Sequence, residues 1–315
     1  MRIAKDKIMK KTEVLGLQTI PQIKQGDNLA EIIIKCSDDE IGGLKDKDII
    51  VLTSKIVSKA LGRIRKLSEV VPGKKALAIS ARTGKDAKWL QMIFDEGHQI
   101  LGIMSLKGLI GQHIINSSKD GQCSRGLVEH EQAVCITKDK DGRIHTCDAG
   151  IDGSNHPPGV VSLLPEDPDA EAKKIREQIQ KLTGKQVAVI LADTEMIPFG
   201  TMDFAVGSSG IEPISKRFGQ KDLFGRPKFG GIDLVASELT AASALVFGQT
   251  AAAIPVAVIR GFQYEISETE NISNTCVPQI SDTDVAKAIK ATLRATAYAQ
   301  GLKIRLLLKI ASWFI

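Results

Sequence analysis

Residues 186–194 read QVAVILADT, an apolar run that ends in an acid and a hydroxyl. A short run of β-branched and other apolar residues predicts a strand that is buried on both faces of a sheet. Two further stretches, 49–54 (IIVLTS) and 255–259 (PVAVI), have the same character. We therefore expect at least three core strands that are well separated along the chain.

Helical patterns lie between and after these strands. The clearest has Asp167 as N-cap and Pro168 as first residue, carries apolar residues at helical spacing, and stops at Gly184. Weaker amphipathic patterns cover residues 85–96, 237–247 and 282–300, and the Asp-Gly pair within 137–143 predicts a hairpin tip. The mixture of strands and helices predicts an α/β or α+β fold.

Composition narrows the class of protein. The 315 residues are 43% hydrophobic and 25% charged, which is ordinary for a globular chain. A net charge of +5 suits anionic small molecules but is too weak to indicate nucleic-acid binding. Five cysteines without a C-x-x-C pair argue against a disulfide framework or a zinc ribbon. Without a signal peptide or a membrane span, we expect a cytoplasmic protein.

The C-terminal sixth differs from the rest of the chain. Residues 265–284 are rich in Ser, Thr and Asn and predict a connector to a final helix. The expected division is an N-terminal segment (1–16), a main catalytic domain (17–263), and a connector with a helical extension (264–315). The last stretch, 301–315, is apolar with three cations, and predicts either a helix packed on protein or a helix lying on a membrane surface.

Common phosphate and zinc motifs are missing, yet polar groups follow the predicted strands, where open α/β sheets place their sites. Ser54, Lys55 and Lys59 follow the first strand and suit phosphate oxygens, although strand-end lysines are often merely solvated. In CDAGIDGSN (147–155), Asp152 and Asn155 have the spacing to hold a hard cation and an adjacent phosphate, or to form a surface Asx turn.

Two more segments carry candidate groups. Asp193 and Thr194 follow the buried strand 186–192, where an acid is costly unless it is paired or metal-bound; the alternative is a helix N-cap. In VFGQTAAAI (246–254), Gly248 and Gln249 suit a turn of the backbone toward a nucleotide, and an ordinary helix end has the same composition.

Taken together, these segments resemble the coenzyme F420-0:γ-glutamyl ligase family over residues 17–261. The stretches that carry the resemblance are 20–33, 48–64, 149–155, 163–179, 219–227 and 253–261. The resemblance implies a mixed-sheet α/β (α+β) fold peculiar to that family and an intertwined homodimer. It also implies a GTP-dependent, GDP-forming acid–amino acid ligase that adds L-glutamate to coenzyme F420-0 through an acyl phosphate.

Residue by residue, the resemblance implies three sets. The metal-binding positions, for Mg²⁺ or Mn²⁺ with K⁺ as a candidate monovalent cation, are Asp152, Asp193, Thr194 and Gln249. The nucleotide contacts are Thr19, Ile20, Pro21, Gln22, Ser54, Lys55, Lys59, Asn155, Phe247, Gly248, Gln249 and Ile254. The catalytic residues are Asp152, Asp193 and Lys59, of which the lysine would neutralise a phosphate.

Two departures from the family pattern leave alternatives open. After Asp193-Thr194 the family commonly has Gly-Arg and further arginines, whereas this chain has EMIPFGTMDFAVG. The loss of these cations favours another carboxylate acceptor, such as a folate, as the alternative substrate. The alanines in 249–253 replace a more flexible family loop, which leaves a GTP-binding homologue with weakened catalysis as a second alternative.

Overall fold

The computed structural model describes residues 11–105, 133–197, 200–217, 219–227, 232–248, 250–276, 282–299 and 301–311. The strands are β1 (Glu13–Gly16), β2 (Ile49–Thr53), β3 (Ile64–Lys66), β4 (Gln99–Ser105), β5 (Ala133–Lys138), β6 (Ile144–His145), β7 (Val160–Ser162), β8 (Ala188–Ile197), β9 (Gly200–Ser209) and β10 (Val256–Arg260). The helices are α1 (Leu29–Ile41), α2 (Ser54–Ala60), α3 (Lys74–Thr83), α4 (Ala87–Asp95), α5 (Pro168–Thr183), α6 (Val235–Phe247), α7 (Ile272–Thr275), α8 (Asp282–Ala299) and α9 (Leu302–Ala311). The chain divides after Cys276 into two compact units.

A five-stranded mixed sheet forms the centre of the first unit, in the order β1-β10-β2-β8-β9. β2 and β8 are parallel, and the other pairs in this sheet are antiparallel. The predicted mixed α/β class is therefore confirmed, and the three predicted core strands are neighbours.

Both faces of this sheet are covered, as the continuous apolar runs predict. Ile50 and Leu52 of β2 belong to a core shared with α1 and α5. Ile49 and Val51, which point the other way, belong to a second core shared with α6. Alternate residues of one strand thus anchor helices on opposite faces.

A smaller layer holds the segment that contains Asp152. Here β4, β5 and β6 form one sheet, and β3 pairs with β7. Leu90 and Ile93 of α4 pack with Cys135 of β5 and with Ile151, next to Asp152, in a separate buried cluster.

Helix α5 forms as its sequence signals predict. The Asp167 side chain accepts a hydrogen bond from the Ala170 N–H, and Gly184 ends the helix with a φ of 70°. The predicted hairpin tip is also confirmed, since residues 139–143 join β5 to β6.

Residues 264–276, which follow the predicted main domain (17–263), belong to the first unit and contact its helix α5. The Asp169 carboxylate of α5 accepts the N–H groups of Ile272 and Ser273, at 3.1 Å each. Arg176 forms a two-point ion pair with Glu268.

The second unit contains α8 and α9, joined by a hydrogen bond from Arg305 Nε to the Ala297 carbonyl at 3.1 Å. Among the described residues, no helix is long and apolar enough to cross a membrane.

Candidate active site

A cavity of about 760 Å³ lies where β2 ends and β8 continues. Its lining is drawn from segments spread between residues 20 and 255. Of the predicted site residues, the cavity brings together Ile20, Pro21, Gln22, Ser54, Lys55, Lys59, Asp152, Asn155, Asp193, Thr194, Phe247, Gly248 and Ile254.

The length of β8 positions Asp193 and Thr194. The parallel pairing of β2 with β8 stops at Thr53 opposite Ala192, so the next two residues project past the end of β2. We expected β8 to end there, but it runs on to Ile197 as one arm of a hairpin with β9. The helix N-cap alternative for Asp193 is therefore wrong, because Asp193 lies inside a strand.

Asp193 is a partly buried acid with a neutral partner. Ser54 Oγ donates to its carboxylate at 2.7 Å. Burial raises the pKa of Asp193 to about 7; the Ser54 hydrogen bond opposes this rise, while the negative charges of Glu195 and Asp152 add to it. Within the part of the chain that the structure describes, no cation forms an ion pair with Asp193. A bound cation would supply the missing compensation.

A tight turn brings the Asp152 segment toward Asp193. Asp148, Ala149 and Gly150 all adopt positive φ angles, of 52°, 60° and 68°. A Cβ added to Gly150 would overlap Leu164 and lie 3.1 Å from the Asp193 carboxylate, so the close approach requires glycine.

Lysines from α2 contact this segment directly. Lys55 Nζ lies 2.7 Å from the Asp152 carboxylate and 2.5 Å from Ser154 Oγ. Lys59 Nζ donates to the Asn155 carbonyl at 3.2 Å. Burial, together with the neighbouring charge of Lys55, lowers the pKa of Lys59. Two adjacent ammonium groups on one wall make that wall suitable for an anion.

The loop after α6 closes the cavity on another side. Asn155 Nδ2 donates to the Thr250 carbonyl at 3.2 Å, which connects this loop to the Asp152 segment. Ala253 adopts a φ of 56°, so an alanine occupies a left-handed conformation that glycine usually takes. Gln249 lies outside the described residues, and its role as a metal ligand stays a prediction.

The match to known proteins covers the residues that build this cavity. A family model described as F420-0:Gamma-glutamyl ligase matches residues 18–261. The chain belongs to this family. The predicted resemblance is thereby confirmed over nearly the whole first unit.

Several similar proteins carry the name Coenzyme F420:L-glutamate ligase, and three of them illustrate the match. The one from Methanosarcina mazei is 34% identical over 278 residues, covering 86% of this chain and 94% of the relative. The one from Methanothermobacter thermautotrophicus is 36% identical over 253 residues, covering 80% and 89%. The one from Archaeoglobus fulgidus is 34% identical over 278 residues, covering 85% and 98%.

Thr19 does not line the cavity of this family member. Its hydroxyl and its N–H both donate to the Glu40 carboxylate, at 2.6 and 2.9 Å. The predicted nucleotide loop therefore reaches the cavity through Ile20, Pro21 and Gln22 instead.

Asp203 is a cavity residue that the sequence did not reveal. It lies opposite Thr194 in the β8–β9 pairing, is buried, and accepts a hydrogen bond from Thr194 Oγ1 at 2.7 Å. Only the hairpin register places these two residues together, and no local pattern specifies that register.

A buried ion pair among the residues that line the cavity has no signal in the sequence either. Lys85, just before α4, pairs with Asp148, and its ammonium lies 5.2 Å from the centre of the Trp89 ring. The other Asp148 oxygen accepts the Cys135 N–H at 2.8 Å. The pair attaches the positive-φ turn to both α4 and β5, which fixes the segment that presents Asp152.

The donor set constrains what cation the site could hold. Across the described ranges, no three His, Cys, Asp or Glu side chains converge into a metal-binding group. Asp152, Asp193 and Thr194 offer two carboxylates and one hydroxyl within one cavity. This set fits Mg²⁺, which commonly combines one or two carboxylates with waters and substrate phosphates.

Proposed function

We propose that this chain joins L-glutamate to coenzyme F420-0 in a reaction driven by the conversion of GTP to GDP. The observation that carries the proposal is the convergence of Asp152, Asp193 and Lys59 on one cavity in a chain of the γ-glutamyl ligase family. The active form that we propose is a cytoplasmic homodimer.

The chemistry requires an activated carboxylate. A free carboxylate resists attack by an amine because its oxygen is a poor leaving group. Transfer of the γ-phosphoryl group of GTP to the acceptor carboxylate yields an acyl phosphate and GDP. The amine of glutamate then attacks the acyl carbon, loses a proton, and displaces inorganic phosphate to leave the amide.

This chain's own residues supply charge and position. Lys55 and Lys59 would contact phosphate oxygens as the triphosphate enters, and Lys55 would exchange part of its pairing with Asp152 for the nucleotide. Ser54, by donating to Asp193, fixes the orientation of that carboxylate. Positioning of this kind provides most of the catalysis in phosphoryl transfer.

Asp152, Asp193 and Thr194 would hold Mg²⁺ or Mn²⁺, with Gln249 as a further ligand and K⁺ as a candidate monovalent cofactor. The divalent cation would neutralise charge on the transferring phosphoryl group.

A different acceptor is the second candidate, and one observation favours it. Glu195 follows Asp193-Thr194, where the family commonly has Gly-Arg. Its carboxylate contacts Thr146 and His145 and does not line the cavity. The cations that line the described cavity are Lys55, Lys59 and Lys85, so recognition of an anionic acceptor would depend on lysines.

The decisive experiment weighs the products. Purified protein is incubated with GTP, Mn²⁺ and glutamate, with coenzyme F420-0 or a folate as acceptor, and with ATP replacing GTP in a parallel reaction. We expect glutamylated F420-0 and GDP. Glutamate added only to the folate would overturn the acceptor, and GTP binding by calorimetry without any product would indicate the weakened homologue.

A further inference from the structure

Within the second unit, the last helix of the chain leaves several apolar side chains uncovered. In α9, the exposed apolar residues have exposed fractions between 42% and 77%, and they are Leu302, Ile304, Leu306, Leu307 and Ile310. Leu302, Leu306 and Ile310 follow one another at a spacing of four and form one row. Arg305 and Leu308 lie on the more covered side, where Arg305 contacts α8. Exposed apolar surface of this extent on a short helix marks an interaction site.

The charge of this helix has a single sign. Its three charged residues are Lys303, Arg305 and Lys309, and it contains no acid. Residues 277–315 together hold six cations and two acids, a net +4 out of the +5 of the whole chain. This basic, apolar extension lies beyond the residues 18–261 that the family model matches.

We propose that α9 docks on the surface of an anionic lipid bilayer. Helices that lie in a membrane interface combine a broad apolar face with lysines and arginines, and both features occur here. Anionic headgroups attract each nearby cation, while the apolar side chains enter the boundary with the acyl chains. The proposal does not depend on the ligase activity.

The length of the helix determines how it would lie. Ten helical residues extend about 15 Å, whereas the hydrocarbon core is about 30 Å thick. The helix therefore cannot span the bilayer, and it would bind along the surface with its apolar row inward.

A second copy of the chain fits this surface less well. Two α9 helices packed face to face would bring charges of the same sign close together, and α9 contains no acid to pair with them. Like charges placed opposite each other disfavour association, whereas an anionic lipid surface is complementary.

The test is sedimentation of the full chain with phospholipid vesicles. We expect binding to vesicles that contain phosphatidylglycerol, little binding to pure phosphatidylcholine vesicles, and release by high salt because screening weakens the attraction. Leu306→Glu places a carboxylate in the apolar row and should weaken binding by about tenfold or more. Leu182→Glu, the same change at an exposed leucine of α5, is the matched control and should bind as the wild type does.

Two outcomes would overturn the proposal. Equal binding of wild type and Leu306→Glu to anionic vesicles would show that α9 does not make the contact. The other outcome is a wild-type chain that does not bind the vesicles and that self-associates in sedimentation equilibrium. If Leu306→Glu abolishes that self-association, a second copy covers the face. Circular dichroism of both variants confirms that each remains folded.

Discussion

At the scale of single residues, Asp193 links the fold to the proposed chemistry. Desolvation, opposed by the hydrogen bond from the Ser54 hydroxyl, raises the pKa of this partly buried carboxylate to about 7. Its ionised form therefore destabilises the folded state, and this cost grows as the pH rises from about 4 toward 7. A divalent cation beside the carboxylate would reverse the effect, because it favours the ionised form.

Asp193→Asn should abolish turnover and leave the fold intact. Asparagine keeps the shape and can still accept the Ser54 hydrogen bond, but it provides no charge for a cation. Without metal, the variant should be more stable than wild type at pH values above about 7, since it avoids the buried charge. Mn²⁺ should raise the melting temperature of the wild type and not that of the variant.

Steady-state rates and thermal unfolding, each with and without Mn²⁺, check this prediction. Asp39→Asn, the same change at an exposed position of α1, serves as the control and should behave as wild type. Wild-type rates in Asp193→Asn would show that the metal assignment is wrong.

In the proposed metal site, Asp203 would act through Thr194. The Thr194 hydroxyl has one hydrogen, and donating it to the Asp203 carboxylate leaves the oxygen lone pairs free to face a cation. Partners of metal ligands typically account for about 10–100-fold in metal affinity. Asp203→Asn should therefore weaken Mn²⁺ binding by about this factor, because a neutral amide orients the hydroxyl less strongly.

Calorimetric titration of Mn²⁺ into the nucleotide-free protein measures this effect. Thr194→Ser keeps a hydroxyl and should bind nearly as wild type does, whereas Thr194→Val should lose as much affinity as Asp203→Asn. Unchanged Mn²⁺ affinity in Asp203→Asn would remove Asp203 from the site.

At the scale of secondary-structure elements, two histidines of the small sheet have opposite pH behaviour. Burial lowers the pKa of His145 on β6, but hydrogen bonds and charges from Asp139 and Glu195 outweigh it and raise the pKa to about 9. Burial and the charge of His145 lower the pKa of His98, next to β4, to about 4. Their rings lie 5.3 Å apart.

These shifts predict a stability maximum near pH 6.5 from this pair. The contribution of His145 is complete below its unfolded pKa of about 6.5 and is lost as the pH rises through about 9. The contribution of neutral His98 is present above about 6.5 and is lost as the pH falls toward about 4. His145→Gln should flatten the alkaline side, removing a pH-dependent change of roughly 3 kcal/mol, and His98→Gln should flatten the acid side.

Urea unfolding of both variants and of wild type across this pH range tests the assignment. His98→Gln should alter the acid side only. His145→Gln should alter mainly the alkaline side, with a smaller change on the acid side because it removes a charge that lowers the pKa of His98. An alkaline loss of stability that persists in His145→Gln would contradict the role given to the Asp139–His145–Glu195 contacts.

The same elements show what the sequence could predict. β2 and β10 are recognisable because their apolar side chains are buried on both faces, and α5 because its caps are local signals. The sequence pattern predicts an end of β8 at residue 192, because Asp193, Thr194 and Glu195 interrupt the apolar run. In the structure, cross-strand pairing with β9 continues through these residues. The cavity beside Asp193 and Thr194 explains why these two polar residues lie inside a strand, and a cavity has no local sequence pattern.

At the scale of the whole molecule, convergence of the site depends on contacts between distant segments. The chemistry of the residues alone singles out Asp152, Asp193 and the α2 lysines as candidates. The family resemblance predicts that they share one nucleotide and metal site. Neither residue chemistry nor the resemblance predicts Asp203 or the Lys85–Asp148 pair. Asp203 depends on the strand register, and the ion pair depends on a turn with unusual backbone angles. The resemblance places Thr19 among the nucleotide contacts by its position in a motif, but its side chain donates a hydrogen bond to Glu40.

The extent of the first unit leads to a prediction about shortened chains. Residues 264–276 supply a buried apolar side chain, Ile272, and the N–H groups that satisfy the buried Asp169 carboxylate. A chain that ends at 263 would leave that carboxylate with Ser208 and Arg143 as its remaining partners, and would expose the core that Ile272 covers. Loss of partners from a buried charge and loss of a buried side chain each cost a few kcal/mol.

A chain that ends at Cys276 should therefore unfold cooperatively with a melting temperature close to that of the full protein, whereas a chain that ends at 263 should melt many degrees lower or fail to fold. Asp169→Ala in the longer of the two chains should reproduce part of the loss, because it removes the acceptor to which residues 272 and 273 bind. Differential scanning calorimetry of the three proteins decides the matter. Equal stability of the two shortened chains would mean that the segment 264–276 is only a connector, as its Ser-, Thr- and Asn-rich composition predicts. The core of the first unit would then be complete without this segment.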